Sequence, residues 1–306
     1  MERIGIVLGA GASFGAGVIW PSPPPLGSDL YGALVTAYPH SWGQLPSNMD
    51  KLFAGSFEEG MDALWNDAMS SALLVDMTRF FLQFAPPSDH SDNYTRLVKA
   101  LIARKLIDRC AFATLNYECV LDLVAASLGL KLTYLADSPP PGNLLVYKPH
   151  GACNLLPQAE MYNLSLVVPG GNAGYFGGPL RPMSPWEAKA KYDAGFALPA
   201  AMSLYAPGKH TPVARDFVEE TRRLWNSWVE SCATIIAIGV RPLVSDAHIW
   251  NPIIASKCAV WFVGGQSAEY RDLDAAIDGR LRYFGKTFGG AIDGLVAALP
   301  GGDHLK

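Results

Sequence analysis

Apolar positions along the chain fall into two patterns. Dense runs of about five residues alternate with stretches in which apolar residues recur every three or four positions. The first dense run, 4–8, is too short for a helix and stops at Gly9, which predicts a buried strand. Similar runs at Cys110–Thr114, Lys131–Leu135, Leu144–Lys148, Thr234–Ile238 and Cys258–Val263 predict five further strands. The helical spacing predicts a helix from Ser28 or Asp29 to about Tyr38, two amphipathic helices over 48–82, and helices over 91–108, Val120–Leu128 and Val213–Val229. Pro252–Ser256 reads as part of another helix, and Ala276 to Leu299 as closing helical material.

Prolines and glycines punctuate this rhythm. Pro21, Pro23, Pro24 and Pro25 impose an extended path, Pro86-Pro87 ends the amphipathic pair, and Pro139-Pro-Pro-Gly142 reads as a turn. Residues 155–215 lose the pattern and are rich in Gly, Pro, Tyr and Met, with Gly170-Gly171 and Gly177-Gly178. A long structureless stretch is foreign to a compact domain, so an insertion with one or two helices, a substrate-facing lid, is expected. Six β-rich runs separated by helices predict an α/β fold: a doubly wound, mostly parallel, six-stranded Rossmann-like sheet with helices on both faces. Ligands would gather at the carboxyl ends of its strands. The whole chain, 1–306, reads as one catalytic domain with a helical insertion at about 36–105 and an irregular one at about 155–215.

Composition narrows the class. Half of the residues are hydrophobic and only 17% charged, as in a globular chain. A net charge of -4, with no Lys/Arg run, gives no general attraction to nucleic acid. Eight Trp, twelve Tyr and thirteen Phe with so few charges leave room for a subunit interface, and a homo-oligomer is expected. Five cysteines, an odd number without Cys-x-x-Cys spacing, predict reduced thiols in a cytoplasmic protein, with neither a disulfide scaffold nor a zinc knuckle. No signal peptide is read at the start, and no run approaches the ~20 apolar residues of a membrane span.

The chemistry sits where predicted strands end. Gly9-Ala10-Gly11-Ala12-Ser13 follows the first strand; its glycines would admit a diphosphate and its amides and Ser13 hydroxyl would face the charge. An ordinary tight turn reads equally well, and no Lys-Ser/Thr follows to make a P-loop. Asn116 follows the second strand, where it either caps a helix or holds a ribose hydroxyl or a water. Thr114 and Tyr117 fit packing; Glu118 either touches a sugar or serves the helix's first turn. His150, after Leu144–Lys148 and before Gly151, is either a proton acceptor or a buried structural histidine. Lys148 reads as a phosphate ligand or a solvated edge lysine. Metal ligation finds only His150 and Cys153 close in sequence, so no metal is expected. Gly239, with Ser245 or Asp246, and the turn Gly264-Gly-Gln266-Ser267 offer further nucleotide contacts, with capping as the alternative for Asp246. Trp186 and the tyrosines of 175–205 stack on a base or fill the core. No Gly-x-Ser-x-Gly elbow supports a nucleophilic serine.

Four of these pieces, in this order, resemble the SIR2 (sirtuin-like) superfamily and in particular the bacterial SIR2-like NAD hydrolases of antiphage defence: Gly9-Ala-Gly-Ala-Ser13 with Gly17, Thr114-Leu-Asn-Tyr-Glu118, Lys148-Pro-His-Gly151, and Ile238-Gly-Val with Asp246. The match covers roughly 1–35, 106–154 and 230–306. The resemblance implies an NAD+ site across the glycine-bearing turns, made by Gly9, Ala10, Gly11, Ala12, Ser13, Thr114, Glu118, Gly239, Asp246, Gly264 and Gln266. In it Asn116 orients water and the nicotinamide ribose and His150 is the general base. The four-cysteine zinc module of sirtuin deacylases is absent, which favours cleavage of NAD+ by water. NAD-dependent protein deacylation and a non-catalytic NAD- or ADP-ribose-sensing subunit are the alternatives. An ATPase or other sensor is an expected partner of a defence effector.

Overall fold

The computed structural model describes residues 2–65, 70–158, 166–167, 175–176, 179–203 and 213–300. Seven strands form the central sheet: β1 (Arg3–Leu8), β2 (Cys110–Thr114), β3 (Lys131–Thr133), β4 (Asn143–Tyr147), β5 (Cys232–Ile238), β6 (Ala259–Val263) and β7 (Leu281–Gly285). Their order is β7-β6-β5-β1-β2-β4-β3, and every neighbouring pair is parallel. The expected mostly parallel sheet with helices on both faces is therefore present, with one strand more than the six expected. The extra strand is β7, read from the sequence as helical. It lies at the sheet edge with Arg282 and Tyr283 exposed, so it lacks the dense apolar run that marks the inner strands.

Successive side chains of each strand point to opposite faces, which splits the core in two. Ile4, Ile6 and Leu8 of β1 face one cluster, and Val7 faces the other. The first cluster is covered by α1 (Ala10–Phe14), α2 (Gly27–Ala37), α3 (Ser47–Gly55), α4 (Phe57–Trp65), α5 (Ser70–Leu82), α6 (Asn93–Ala103) and α7 (Val120–Ser127). Among the described residues of the second insertion, one capped helix, α8 (Pro185–Asp193), joins this layer through buried Ala188 and Tyr192. The second face carries α9 (Arg215–Glu230), α10 (Ala247–Ala255) and α11 (Ala268–Ala276), which bring Trp225, Trp228, Ile249, Ile253 and Leu273 onto the sheet. The last helix, α12 (Phe288–Ala298), returns to the first face.

Element boundaries differ from expectation for local reasons. The stretch 48–82 holds three helices rather than two, because Ser56 adopts an extended conformation between α3 and α4. The helix expected over 91–108 begins after Asp92, whose carboxylate accepts from Thr95 N at 2.8 Å, and ends before Lys105 at φ 56°. Within 155–215, Leu155–Pro157 pairs antiparallel with Leu180–Pro182, and Leu166–Val167 with Tyr175–Phe176. The Gly170-Gly171 and Gly177-Gly178 pairs lie outside the described residues. Among the described residues no helix is long and apolar enough to cross a membrane.

Candidate functional site

The chain reverses its direction of travel across the sheet between β1 and β5, and the carboxyl ends of these two strands meet there. They meet closely: Gly9 N donates to Ile238 O at 3.1 Å and Gly11 N to Gly239 O at 2.9 Å. Gly239 has φ 61°, and a Cβ on it would stand 2.0 Å from Ala12 N. Only glycine fits this left-handed position against a neighbouring backbone. Ala12 N also bonds inside the turn, to Gly9 O at 2.9 Å. The amides of Gly9, Gly11 and Ala12 are thus occupied by the protein itself, which changes the sequence reading of an amide cradle. The glycines first serve to dock two loops, and they leave a low floor beside them.

Above that floor opens a cavity of about 720 Å³, a size suited to a small ligand or cofactor. Of the residues singled out from the sequence, Gly9, Ala10, Gly11, Asn116, His150, Gly239, Asp246 and Gly264 line it. Ala12, Ser13, Thr114, Glu118 and Gln266 do not. Ser13 and Glu118 instead line a small adjoining recess, together with Ala10, Asn116 and Tyr117. Thr114 acts within the backbone, its Oγ1 accepting from Asn116 N at 3.2 Å.

Asn116 does not cap α7. Its Nδ2 donates to Gly9 O at 3.0 Å and to Ser13 Oγ at 2.9 Å, so both amide hydrogens are engaged and Oδ1 is what it can offer a ligand. The acceptor group behind it is dense: Ser13 Oγ lies 2.5 Å from Glu118 Oε1 and 2.7 Å from Tyr94 Oη. Glu118 Oε2 accepts from Val120 N at 2.5 Å, serving the first turn of α7. Burial raises the Glu118 carboxyl above its ordinary value, against the lowering effect of these hydrogen bonds.

His150 enters from the end of β4, and its loop is held on three sides. Gly151 has φ 74°, and a Cβ there would fall 1.9 Å from Ala201 O. Ser203 N donates to His150 O at 2.8 Å, and Arg222 Nε to Pro149 O at 2.8 Å. His150 is 3% exposed, with Nε2 3.2 Å from Asp246 Oδ1 and 3.1 Å from His248 Nε2. Asp246 stands at the start of α10 without a side-chain capping bond; its carboxylate faces the histidine.

Lys148, next but one to His150, is neither a phosphate ligand nor a solvated lysine. It is fully buried beneath the site and pairs with Asp122 Oδ2 at 2.8 Å. Burial alone would pull its ammonium down, but Asp122, Cys119 and Tyr134 hold it well above the ordinary lysine value. Cys153 also turns into this core, its sulfur 3.5 Å from that of Cys119 and away from the cavity.

Several lining residues were not singled out from the sequence. The first insertion supplies Phe53 to Glu58, at the α3–α4 junction, and the start of α2 supplies Leu26, Gly27 and Ser28. Lys286 and Phe288 follow the unforeseen β7; of the expected turn Gly264-Gly-Gln266-Ser267, every residue but Gln266 lines the cavity. No described residue of the second insertion lines the cavity; Ala201, Met202 and Ser203 brace His150 from behind. Trp186 is 64% exposed on that insertion, and Tyr192 fills the core. Small polar pairs at helix starts and breaks (Gly27-Ser28 and Gly55-Ser56) were the available signal.

No family model matches the chain, and no curated protein matches it. Among solved structures it is similar to a Sir2 enzyme (13% identity, 97% of this chain and 91% of that chain, TM-score 0.47). It is also similar to Sir2 bound to an inhibitor, 2'-O-acetyl-ADP-ribose and a deacetylated peptide (13% identity, 96% and 91%, TM-score 0.45), and to a mutant Sir2 homologue with ADP-ribose (14% identity, 96% and 90%, TM-score 0.43).

Proposed function

We propose that this protein hydrolyses NAD+ to ADP-ribose and nicotinamide. One observation carries the reading: Asn116 and His150, brought from the ends of two different strands, line one cavity with the glycine turns of β1 and β5. Those residues are also the core of the motif resemblance drawn from the sequence. The nicotinamide ring is already cationic, so its glycosidic bond breaks without an acid to protonate the leaving group. Water adds its oxygen to the anomeric carbon as that bond breaks, and nicotinamide leaves with the bonding pair. Asn116 Oδ1 accepts a hydrogen bond from this water or from a ribose hydroxyl and fixes its position. His150 accepts the water's proton, and the Asp246 carboxylate stabilises the imidazolium that results. Lys286 and the hydroxyls of Ser28 and Ser267 offer the diphosphate its polar contacts, in place of the occupied amides.

The motif resemblance extends the proposal to an NAD+-depleting effector that a trigger or partner switches on. The assay therefore uses the full chain, alone and in lysate of infected and uninfected cells, with products separated chromatographically. ADP-ribose and free nicotinamide in equal amounts are expected, with the rate falling about a hundredfold or more in Asn116→Ala and in His150→Ala. Turnover only with an acylated peptide would replace hydrolysis by deacylation. Saturable NAD+ binding without turnover under every condition would leave a sensing subunit.

A further inference from the structure

Sequence spacing offers His150 only Cys153 as a metal-binding companion, and that thiol packs against Cys119 instead; the fold supplies two others from the start of α10. His150, Asp246 and His248 present one ligand atom each, all within 4.8 Å of one another. The two separations that involve His150 resemble the edges of a coordination polyhedron. Around a zinc-sized ion with bonds of about 2.0–2.1 Å, neighbouring ligand atoms stand about 2.9 Å apart at a right angle and about 3.4 Å apart at the tetrahedral angle. The His150 Nε2–His248 Nε2 and His150 Nε2–Asp246 Oδ1 distances, 3.1 and 3.2 Å, lie between these limits. The three side chains are buried or half-buried. Two are held by elements fixed elsewhere, His150 by its braced loop and His248 by α10.

We propose that His150, Asp246 and His248 form a binding site for a borderline divalent cation of the zinc class. Two imidazoles and one carboxylate suit Zn2+ or Co2+ and do not suit Mg2+ or Ca2+, which prefer all-oxygen sites. His150 and Asp246 line the cavity, so the ion keeps an open coordination position toward a ligand there. A second consequence rests on the proposed hydrolysis: an ion on His150 Nε2 takes Asp246 from the imidazolium and puts a positive charge on the ring that must accept a proton, so zinc inhibits the reaction and a chelator restores it.

Binding is tested without NAD+, so that its failure and the failure of the hydrolase reading stay separate. Chelator-treated full-length protein is titrated with Co2+, whose visible absorption reports nitrogen and oxygen coordination, and with Zn2+ by equilibrium dialysis. The proposal expects one ion per chain and a loss of affinity of roughly tenfold or more in both His248→Ala and Asp246→Asn. Circular dichroism of each variant checks its fold; should His248→Ala unfold, His248→Gln takes its place. No saturable binding, or binding unchanged in the folded variants, overturns the site. Zinc that binds as expected but leaves measured NAD+ hydrolysis untouched overturns the inhibitory consequence alone.

Discussion

At the scale of single residues, the site is shaped by which atoms the protein has already used. Asn116 spends both amide hydrogens on Gly9 O and Ser13 Oγ, which converts an ambivalent side chain into an oriented acceptor. Glu118 shows the opposite behaviour, because burial pushes its carboxyl up from the ordinary 4.5. The folded chain then holds this proton more tightly than the unfolded chain does. Below about pH 4.5 both states are protonated and the residue's stabilising contribution is fully present; it is lost as pH rises through the raised folded value. Glu118→Gln removes that dependence. Urea denaturation from pH 4 to 8 should show wild type losing stability relative to the variant as pH rises, and a pH-independent gap would contradict the assignment.

At the scale of elements, β4 and α7 are locked beneath the cavity by a buried ion pair. Lys148 touches Asp122 at 2.8 Å, and Asp122 in turn receives Tyr134 Oη at 2.6 Å and Asn154 Nδ2 at 3.3 Å. A charge left alone there is costly, so Lys148→Met should lose about 3–5 kcal/mol in denaturant unfolding, with part recovered when Asp122→Leu is added. The contact between the β1 and β5 turns makes a second prediction. Gly129 and Gly239 both have positive φ, but a Cβ on Gly129 meets open space. Gly129→Ala should cost about 1–2 kcal/mol from the backbone alone. Gly239→Ala carries the clash with Ala12 N as well and should cost clearly more by the same measurement. Equal costs would mean that the turns are not pressed together.

At the scale of the whole molecule, the cavity belongs to neither half of the sheet. Its floor comes from β1 and β5, one wall from β2 and β4, another from β6 and β7, and part of its rim from the first insertion. Ser245 Oγ reaches Glu58 Oε1 at 3.5 Å, which ties that insertion to the loop carrying Asp246. A ligand in this cavity should therefore order segments distant in sequence. With ADP-ribose at about a hundred times its Kd, linkage gives about 2.7 kcal/mol of added stability. Hydrogen exchange should slow at 53–58 and 264–267 beyond any change at Lys131–Thr133, the sheet edge away from the site. Protection confined to one segment would contradict the shared cavity.

The inner strands and most helices were legible in the chain, because an element buried on both faces needs a dense apolar run and an amphipathic helix needs its three- and four-residue spacing. Glycine, Asn116 and His150 stood out because a strand end followed by a small or polar residue is a poor core. β7 was hidden, since its edge position leaves Arg282 and Tyr283 exposed and its apolar run short, whereas the other edge strand, β3, was legible. The identity of the residues around Asn116 and His150 was beyond any local pattern. Tyr94 and Gly9 at Asn116, Asp246 and His248 at His150, and Phe53 to Glu58 at the rim arrive from other elements. The local pattern determines which side a side chain faces; the tertiary structure decided what it meets there, because partners far apart in the chain become neighbours only when the sheet is assembled.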